Sequence, residues 1–211
     1  MKVLIIGGTG LISSAITRTC LERGVDVTLY NRGQSPVRFN AGATILTGDR
    51  YNYPAFIQQI ASLGSFDCVI DMLTFTPDHA QSAVEAFQGR TGQYIFCSTV
   101  DVYSKPASRY PLREIEPRKG NNEYGRNKIL CEDIFAAAHQ QGKLSVTTIR
   151  PAMSYGEGKG IVDFSGWSTR IFDRLLKGKP ILVHGDGSAL WVACLADLSG
   201  HRRYGYRDRA G

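Results

Sequence analysis

The sequence predicts an α/β fold, a doubly wound parallel sheet with a small, incomplete C-terminal region. Three observations carry the prediction. A run of branched apolar residues, Val3 to Ile6, leads at once into glycines at 7, 8 and 10 and then into a helical pattern. Apolar runs of strand length then alternate with segments of helix length as far as residue 149. The connections are mostly short, as α/β units require.

Residues 3–6 form a continuous apolar run, the mark of a strand buried on both faces. Residues 11–23 carry apolar side chains at 11, 12, 15, 16 and 21, which predicts a helix with one buried side. Strand two covers 25–30 and strand three 43–46. A helix follows over 54–63, and strand four lies within 66–72. The helix over 77–88 has Pro77 near its start, where a missing N–H costs nothing. Strand five covers 93–97. The proline-, charge- and glycine-rich stretch 104–122 reads as a long active-site loop. A helix over 127–141 turns Ile129, Leu130, Ile134, Phe135 and Ala138 towards the core. Strand six covers 144–149. A helix is expected over 161–177, then a short strand, a turn and a second short strand over 180–198.

Strand, glycine turn and helix, in that order, form the first half of a dinucleotide-binding βαβ unit. Gly7, Gly8, Thr9 and Gly10, with Leu11 and Ile12 opening the helix, are the candidates for holding a pyrophosphate. Without Cβ atoms the backbone approaches it closely, and its charge meets the free N–H groups of the helix. On the glycines alone, a tight turn with no ligand would look the same. After strand two, Asn31-Arg32-Gly33 offers no carboxylate to the ribose 2′-hydroxyl of NAD, and Arg32 supplies a cation for the 2′-phosphate of NADP. This favours NADP over NAD; a plain polar turn is the alternative.

The spacing Gly7-x-x-Gly10-x-x-Ser13 resembles the G-x-x-G-x-x-G of the extended and atypical short-chain dehydrogenase/reductase superfamily, the NAD(P)-dependent epimerase/dehydratase group. Ser13 stands at the third glycine, where slightly looser helix packing is expected. Three further stretches carry the resemblance. Phe96-Cys-Ser-Thr-Val-Asp-Val-Tyr103 is similar to F-S-S-S-x-x-V-Y, Tyr124-Gly-Arg-Asn-Lys128 to Tyr-x-x-x-Lys, and Arg150-Pro-Ala-Met-Ser-Tyr-Gly156 to R-P-x-x-x-Y-G. The 25-residue interval from Thr99 to Tyr124 is the one usual in the extended group. The resemblance implies a Rossmann fold and catalytic roles for Thr99, Tyr124 and Lys128. It implies that Asp49, beside Arg50, meets the adenine amino group. It further implies that Met72 and Leu73 flank the cofactor where the family usually has small residues, and that Pro151, Ala152 and Met153 lie against the nicotinamide. Gly156 is expected to permit a sharp turn.

Residues four apart share a helix face, so Tyr124 and Lys128 are expected in one cleft. A phenol with a pKa of about 10 is a weak base at neutral pH. A nearby ammonium and an oxidised nicotinamide are expected to move it down. Tyr124 would take a proton from a substrate hydroxyl, or give one to a carbonyl, as hydride moves. Thr99 would hold the same oxygen, and Lys128 would anchor the nicotinamide ribose. Tyrosine and lysine at this spacing also occur on solvated helix faces.

At 211 residues the chain can bury one substantial core. With 43% hydrophobic and 21% charged residues it reads as neither a disordered chain nor a membrane protein. The first strand starts after one lysine, which leaves no room for a signal peptide, so a cytoplasmic protein is expected. Five scattered cysteines without a C-x-x-C pair and four histidines without ligand spacing suggest neither a disulfide framework nor a metal site. The net charge of +6 raises the question of nucleic acid. Four arginines in 201–209 face Asp208 alone and supply half of it, and an anionic cofactor would explain the rest equally well.

The stretch from Pro180 to Leu198 resembles the family's G-D-G…W-x-x-x-x-x-D-L segment, so the resemblance covers residues 1–199. Family members usually continue well beyond it. The expected division is a NAD(P)-binding domain over 1–156, a partial substrate-binding region over 157–199 and a flexible tail over 200–211. The expected function is that of an NAD(P)-dependent oxidoreductase or epimerase/dehydratase. It would act by reversible hydride transfer at a secondary alcohol or carbonyl, with a nucleotide sugar as a candidate substrate. Arg170 and Arg174 would approach the substrate diphosphate or be solvated. Dimers of the superfamily often pair the helix bearing Tyr-x-x-x-Lys with its neighbour, so a homodimer is expected. A second reading stays open: a cofactor-binding regulator or RNA-binding protein on the same fold. The N-terminal Gly-Gly-Thr and the Asn-Arg-Gly are similar to those of chloroplast stem-loop RNA-binding proteins, although the chain carries no aromatic-plus-basic recognition motif.

Overall fold

The computed structural model describes residues 1–34, 42–156, 170–183, 186 and 193–196. Six parallel strands form the main sheet: β1 (Lys2–Ile6), β2 (Asp26–Asn31), β3 (Thr44–Thr47), β4 (Phe66–Asp71), β5 (Thr91–Cys97) and β6 (Val146–Ile149). Their order is β3-β2-β1-β4-β5-β6. The helices between them are α1 (Leu11–Glu22), α2 (Tyr53–Ala61), α3 (Pro77–Phe87) and α4 (Glu123–Gln140). This is a doubly wound Rossmann-type sheet, and its order reverses between β1 and β4. Ile6 pairs with Tyr30 on one side and with Asp71 on the other. The carboxyl ends of the central strands are therefore level and open one crevice.

Alternation along β1 explains why both faces are covered. Val3 and Ile5 join Val27 and Leu29 in one core, against which Ile16, Cys20 and Leu21 pack. Leu4 and Ile6 point the other way, into a larger core with Phe56, Phe87, Tyr94, Phe96 and Phe135. Burying alternate side chains on opposite faces requires helices on both, which is why the run reads as continuously apolar.

α4 begins four residues before the predicted start. Asn122 caps it, accepting a hydrogen bond from Gly125 N at 2.7 Å, which puts Tyr124 in its first turn. Its buried face also differs from the expected one. Gly125, Lys128, Cys131, Glu132, Phe135 and Ala138 are buried, while Leu130 is 49% exposed. Polar residues replace the expected leucine because the face looks towards a polar crevice as well as the core. Between β5 and α4, residues 104–122 form no helix or strand.

Beyond β6, β7 (Met153–Tyr155) pairs in parallel with β8 (Ala193–Leu195). Of the helix expected over 161–177, the described part is α5 (Arg170–Leu176); residues 161–169 lie outside the described residues. Within 180–198, residues 181–183 carry no strand and β8 is the strand found. The expected tail over 200–211 lies outside the described residues. No helix among the described residues is long and apolar enough to cross a membrane.

Candidate active site

A cleft of about 530 Å³ opens at the carboxyl ends of the strands. The turn after β1 forms one wall. Gly7 and Gly8 have φ of +112° and +87°, which side chains rarely adopt. A Cβ on Gly8 would also stand 2.8 Å from Leu29 Cδ2. Gly10 is different. Its φ is −79°, and a Cβ there would meet only Ser13 Oγ, at 3.4 Å. The fold does not require a glycine at this position, whereas close approach by a ligand does. Ser13 serves the turn directly, because its Oγ accepts from Gly10 N at 2.9 Å and caps α1. The next N–H groups, at Leu11 and Ile12, belong to the helix's first turn and have no partner within it. Gly7, Thr9, Gly10, Leu11 and Ile12 line the cleft, and Gly8 backs the turn against the sheet.

At the end of β2, Asn31 and Arg32 line the cleft. Asn31 Oδ1 accepts from Gly33 N at 2.8 Å, which closes a polar turn and leaves Arg32 exposed. Asp49 is not among the lining residues. It is exposed, and its Oδ1 accepts from Tyr51 N at 3.0 Å. Arg50 lines the cleft but is 2% exposed. Its Nη1 donates to Ser82 Oγ at 2.9 Å and its Nη2 to His79 O at 2.5 Å, so two of its nitrogens are committed to α3. The guanidinium stacks 4.1 Å from the centre of the Phe56 ring, and its Nε has no hydrogen-bond partner.

The loop after β4 supplies Met72 and Leu73, which line the cleft beside Gly7. A Cβ on Gly7 would stand 3.3 Å from Met72 Cβ and 3.4 Å from Leu73 Cγ. The bulky pair lies against a glycine, so the cleft remains open.

Thr99, Tyr124 and Lys128 meet in this cleft, as the four-residue spacing predicts for the tyrosine and lysine and the resemblance implies for the threonine. Thr99 is 8% exposed and caps a short 3-10 turn, Val100–Val102, with its Oγ1 accepting from Asp101 N at 3.2 Å. α4 packs hard against that turn: a Cβ on Gly125 would stand 2.5 Å from Asp101 O. Glycine next to Tyr124 thus lets the tyrosine approach Thr99. Tyr124 is 41% exposed, with its ring 6.5 Å from that of Phe75. Lys128 is 1% exposed, and its Nζ donates to Thr74 O at 2.6 Å and Cys97 O at 2.7 Å.

The lowering of the tyrosine pKa is expected from an ammonium together with an oxidised nicotinamide, and the protein's own groups act in the opposite direction. Burial pushes the Tyr124 phenol up, as does the Cys97 thiol, against a lowering hydrogen bond with Thr99. The Lys128 ammonium is drawn to two carbonyls and stands 5.7 Å from the centre of the phenol ring. Burial pushes Lys128 itself down.

The far wall is Pro151 to Ser154. A network behind it fixes this segment. Glu132 is 4% exposed and accepts from Ser98 Oγ at 2.6 Å, Arg150 at 2.8 and 2.7 Å, and Arg118 Nη1 at 2.8 Å. Burial would raise its pKa, but these bonds together lower it. Gly156 is not a left-handed turn residue. A Cβ there would stand 3.1 Å from Leu11 Cδ1, so it permits close approach to α1. Arg174 donates to Pro180 O at 2.9 and 2.7 Å.

Sequence reasoning missed Ser13, Tyr30, Gly48, Tyr51, Phe75, Cys97, Ser98 and Ser154 as lining residues. Ser98 and Ser154 lie inside recognised segments and were within reach. Tyr30, Tyr51 and Phe75 reach the cleft through packing that no spacing encodes.

A family model described as NAD dependent epimerase/dehydratase family matches residues 3–194. The chain is 28% identical over 201 residues to "Chloroplast stem-loop binding protein of 41 kDa b, chloroplastic" of Arabidopsis thaliana, covering 88% of this chain and 50% of that protein. It is 24% identical to 2'-dehydrokanamycin reductase of Streptomyces kanamyceticus, over 95% of this chain and 56% of that one. The chain thus spans about half the length of these curated relatives. The crystal structure of UDP-glucose 4-epimerase with UDP-glucose from Thermotoga maritima superposes with a TM-score of 0.76 at 21% identity, over 93% of this chain and 70% of that one. At that identity the likeness shows the fold.

Proposed function

The chain belongs to the NAD-dependent epimerase/dehydratase family, and from that premise we propose that it is an NAD(P)-dependent oxidoreductase or epimerase/dehydratase. The observation that carries the reading is the meeting of exposed Tyr124 with buried Thr99 and Lys128 in one cleft with the glycine turn. Gly10, which the backbone conformation does not require, supports a dinucleotide with its pyrophosphate at the first turn of α1. The bound nicotinamide would supply the hydride chemistry. Tyr124 would move a proton at the substrate oxygen, and Thr99 would hold that oxygen by a hydrogen bond. Lys128 would hold the nicotinamide ribose, and Pro151 would back the ring. Asp49 would meet the adenine by turning from its exposed position after β3.

Arg32, exposed at the cleft with no carboxylate at the end of β2, supports a preference for NADPH. The substrate class proposed is a nucleotide sugar, from the likeness to an epimerase crystallised with UDP-glucose. We assign residues 1–156 to cofactor binding and 157–199 to part of a substrate region. The five cysteines are free, which fits a reducing compartment such as the cytoplasm. A homodimer through α3 and α4 is supported by a groove containing exposed Leu130, and sedimentation of the purified chain would test it. An RNA-binding role would leave the arrangement of Thr99, Tyr124 and Lys128 unexplained.

The test is turnover of UDP-glucose with NAD or NADP, comparing the wild type with Tyr124→Phe. The variant should lose about 10²- to 10⁴-fold in rate while folding and binding dinucleotide as before. Unchanged turnover would refute the role of the phenol.

A further inference from the structure

The loop after β4 departs from the small residues expected there, and Asp71, which opens it, plays no part in the proposed chemistry. Asp71 is fully buried. Its Oδ1 accepts from Leu73 N at 2.8 Å and Thr74 N at 3.0 Å. Its Oδ2 accepts from Thr74 Oγ1 at 2.7 Å and from the Tyr94 hydroxyl. Four donors occupy the carboxylate and none of them is a cation. These bonds fold residues 71–74 into a turn that presents Thr74 O to Lys128 Nζ, at 2.6 Å.

Lys128 needs more than its two carbonyl partners. A buried ammonium is costly unless a negative charge stands near it. On its own helix, Tyr124 is a phenol raised by burial, and Glu132 is bound to Arg118 and Arg150. The Cys97 thiol of β5 and the Cys131 thiol of α4 are both pushed up by burial and stay neutral near pH 7. His79, on α3, is pushed down by burial and by Arg50, and its Nδ1 accepts from Phe75 N at 3.1 Å. Among the described residues acting on Lys128, Asp71 is the carboxylate with no cationic partner of its own.

We infer that Asp71 is the positioning residue of Lys128. Through the Thr74 carbonyl it fixes where the ammonium stands, and its carboxylate adds a negative charge that favours the ammonium. The consequence for cofactor binding rests on the proposed function, in which Lys128 meets the nicotinamide ribose.

Asp71→Asn tests this with little change of shape. The asparagine oxygen still accepts from Leu73 and Thr74, and its amide can donate to the hydroxyls of Thr74 and Tyr94, which turn to accept. Lysine labelled with ¹³C at Cε is followed by NMR as pH rises, the Lys128 signal being the one lost in Lys128→Arg. The Lys128 midpoint should fall by about one pH unit or more in Asp71→Asn. An unchanged midpoint would overturn the inference. Tyr94→Phe keeps the charge and removes one hydrogen bond, so it should melt earlier without lowering the midpoint. A fall equal to that of Asp71→Asn would show loosened packing to be the cause and would also overturn it. In the wild type, NADH affinity should be lost at alkaline pH, and Asp71→Asn should lose it at lower pH. If the wild type binds neither NADH nor NADPH while the Lys128 midpoint still falls, the proposed function fails and the assignment of Asp71 stands. If dinucleotide binds and the midpoint does not move, the assignment fails and the function stands.

Discussion

Tyr124 carries the proposed chemistry, and its surroundings give that chemistry a direction. Burial raises the phenol, so the protonated form dominates near neutral pH. A protonated phenol donates to a carbonyl oxygen, which favours the reductive direction. Oxidation of an alcohol needs the phenolate and gains from the positive charge of an oxidised nicotinamide. The rate of carbonyl reduction should therefore hold near neutral pH and fall as pH rises through the phenol's raised pKa. Alcohol oxidation should rise over the same range. Initial rates in both directions against pH check this, and parallel profiles would contradict it. The meeting of Thr99, Tyr124 and Lys128 in one cleft was legible, because a helix fixes the four-residue spacing and the family interval points to Thr99. The direction of the shift was not. It comes first from burial of the phenol, which follows from packing that no spacing encodes.

At the scale of elements, α4 is the part most tightly specified by contact. Gly125 brings it against the turn that carries Thr99, Lys128 ties it to the loop after β4 and the end of β5, and Glu132 ties it to Ser98 and Arg150, the residues that follow β5 and β6. A count of apolar residues put Leu130 on its buried face, because periodicity cannot see that buried polar groups find partners there. Glu132→Gln should show what the network contributes. Removing one partner of a buried ionic cluster costs about 3–5 kcal/mol. The Glu132 carboxyl is lowered in the folded chain, so its contribution is present above the unfolded carboxylate pKa of about 4.3 and is lost as pH falls below it. Denaturant midpoints of the wild type and Glu132→Gln should differ most at neutral pH and converge in acid. A difference that persists unchanged at low pH would contradict this origin.

Over the whole molecule, one cleft follows from the topology. Parallel strands ending level on either side of the β1/β4 reversal leave a crevice, and the glycine turn, the β4 loop and the first turn of α4 all open into it. The alternation of strands and helices was legible because the central strands β1 and β4 carry near-continuous apolar runs and the outer strands keep short ones between segments of helix length. The adenosine end was less so. Arg50 faces α3 and Asp49 is exposed outside the cleft lining, since a two-residue motif does not encode which of its side chains turns inward. The most direct test of a cofactor cleft is a titration of the purified chain with NADPH and, separately, NADH, followed by nicotinamide fluorescence. The account predicts saturable binding of both, tighter for NADPH. Arg32→Ala should weaken NADPH about tenfold or more and leave NADH unchanged, as expected for one charge-assisted contact. Saturable binding of neither dinucleotide would contradict it.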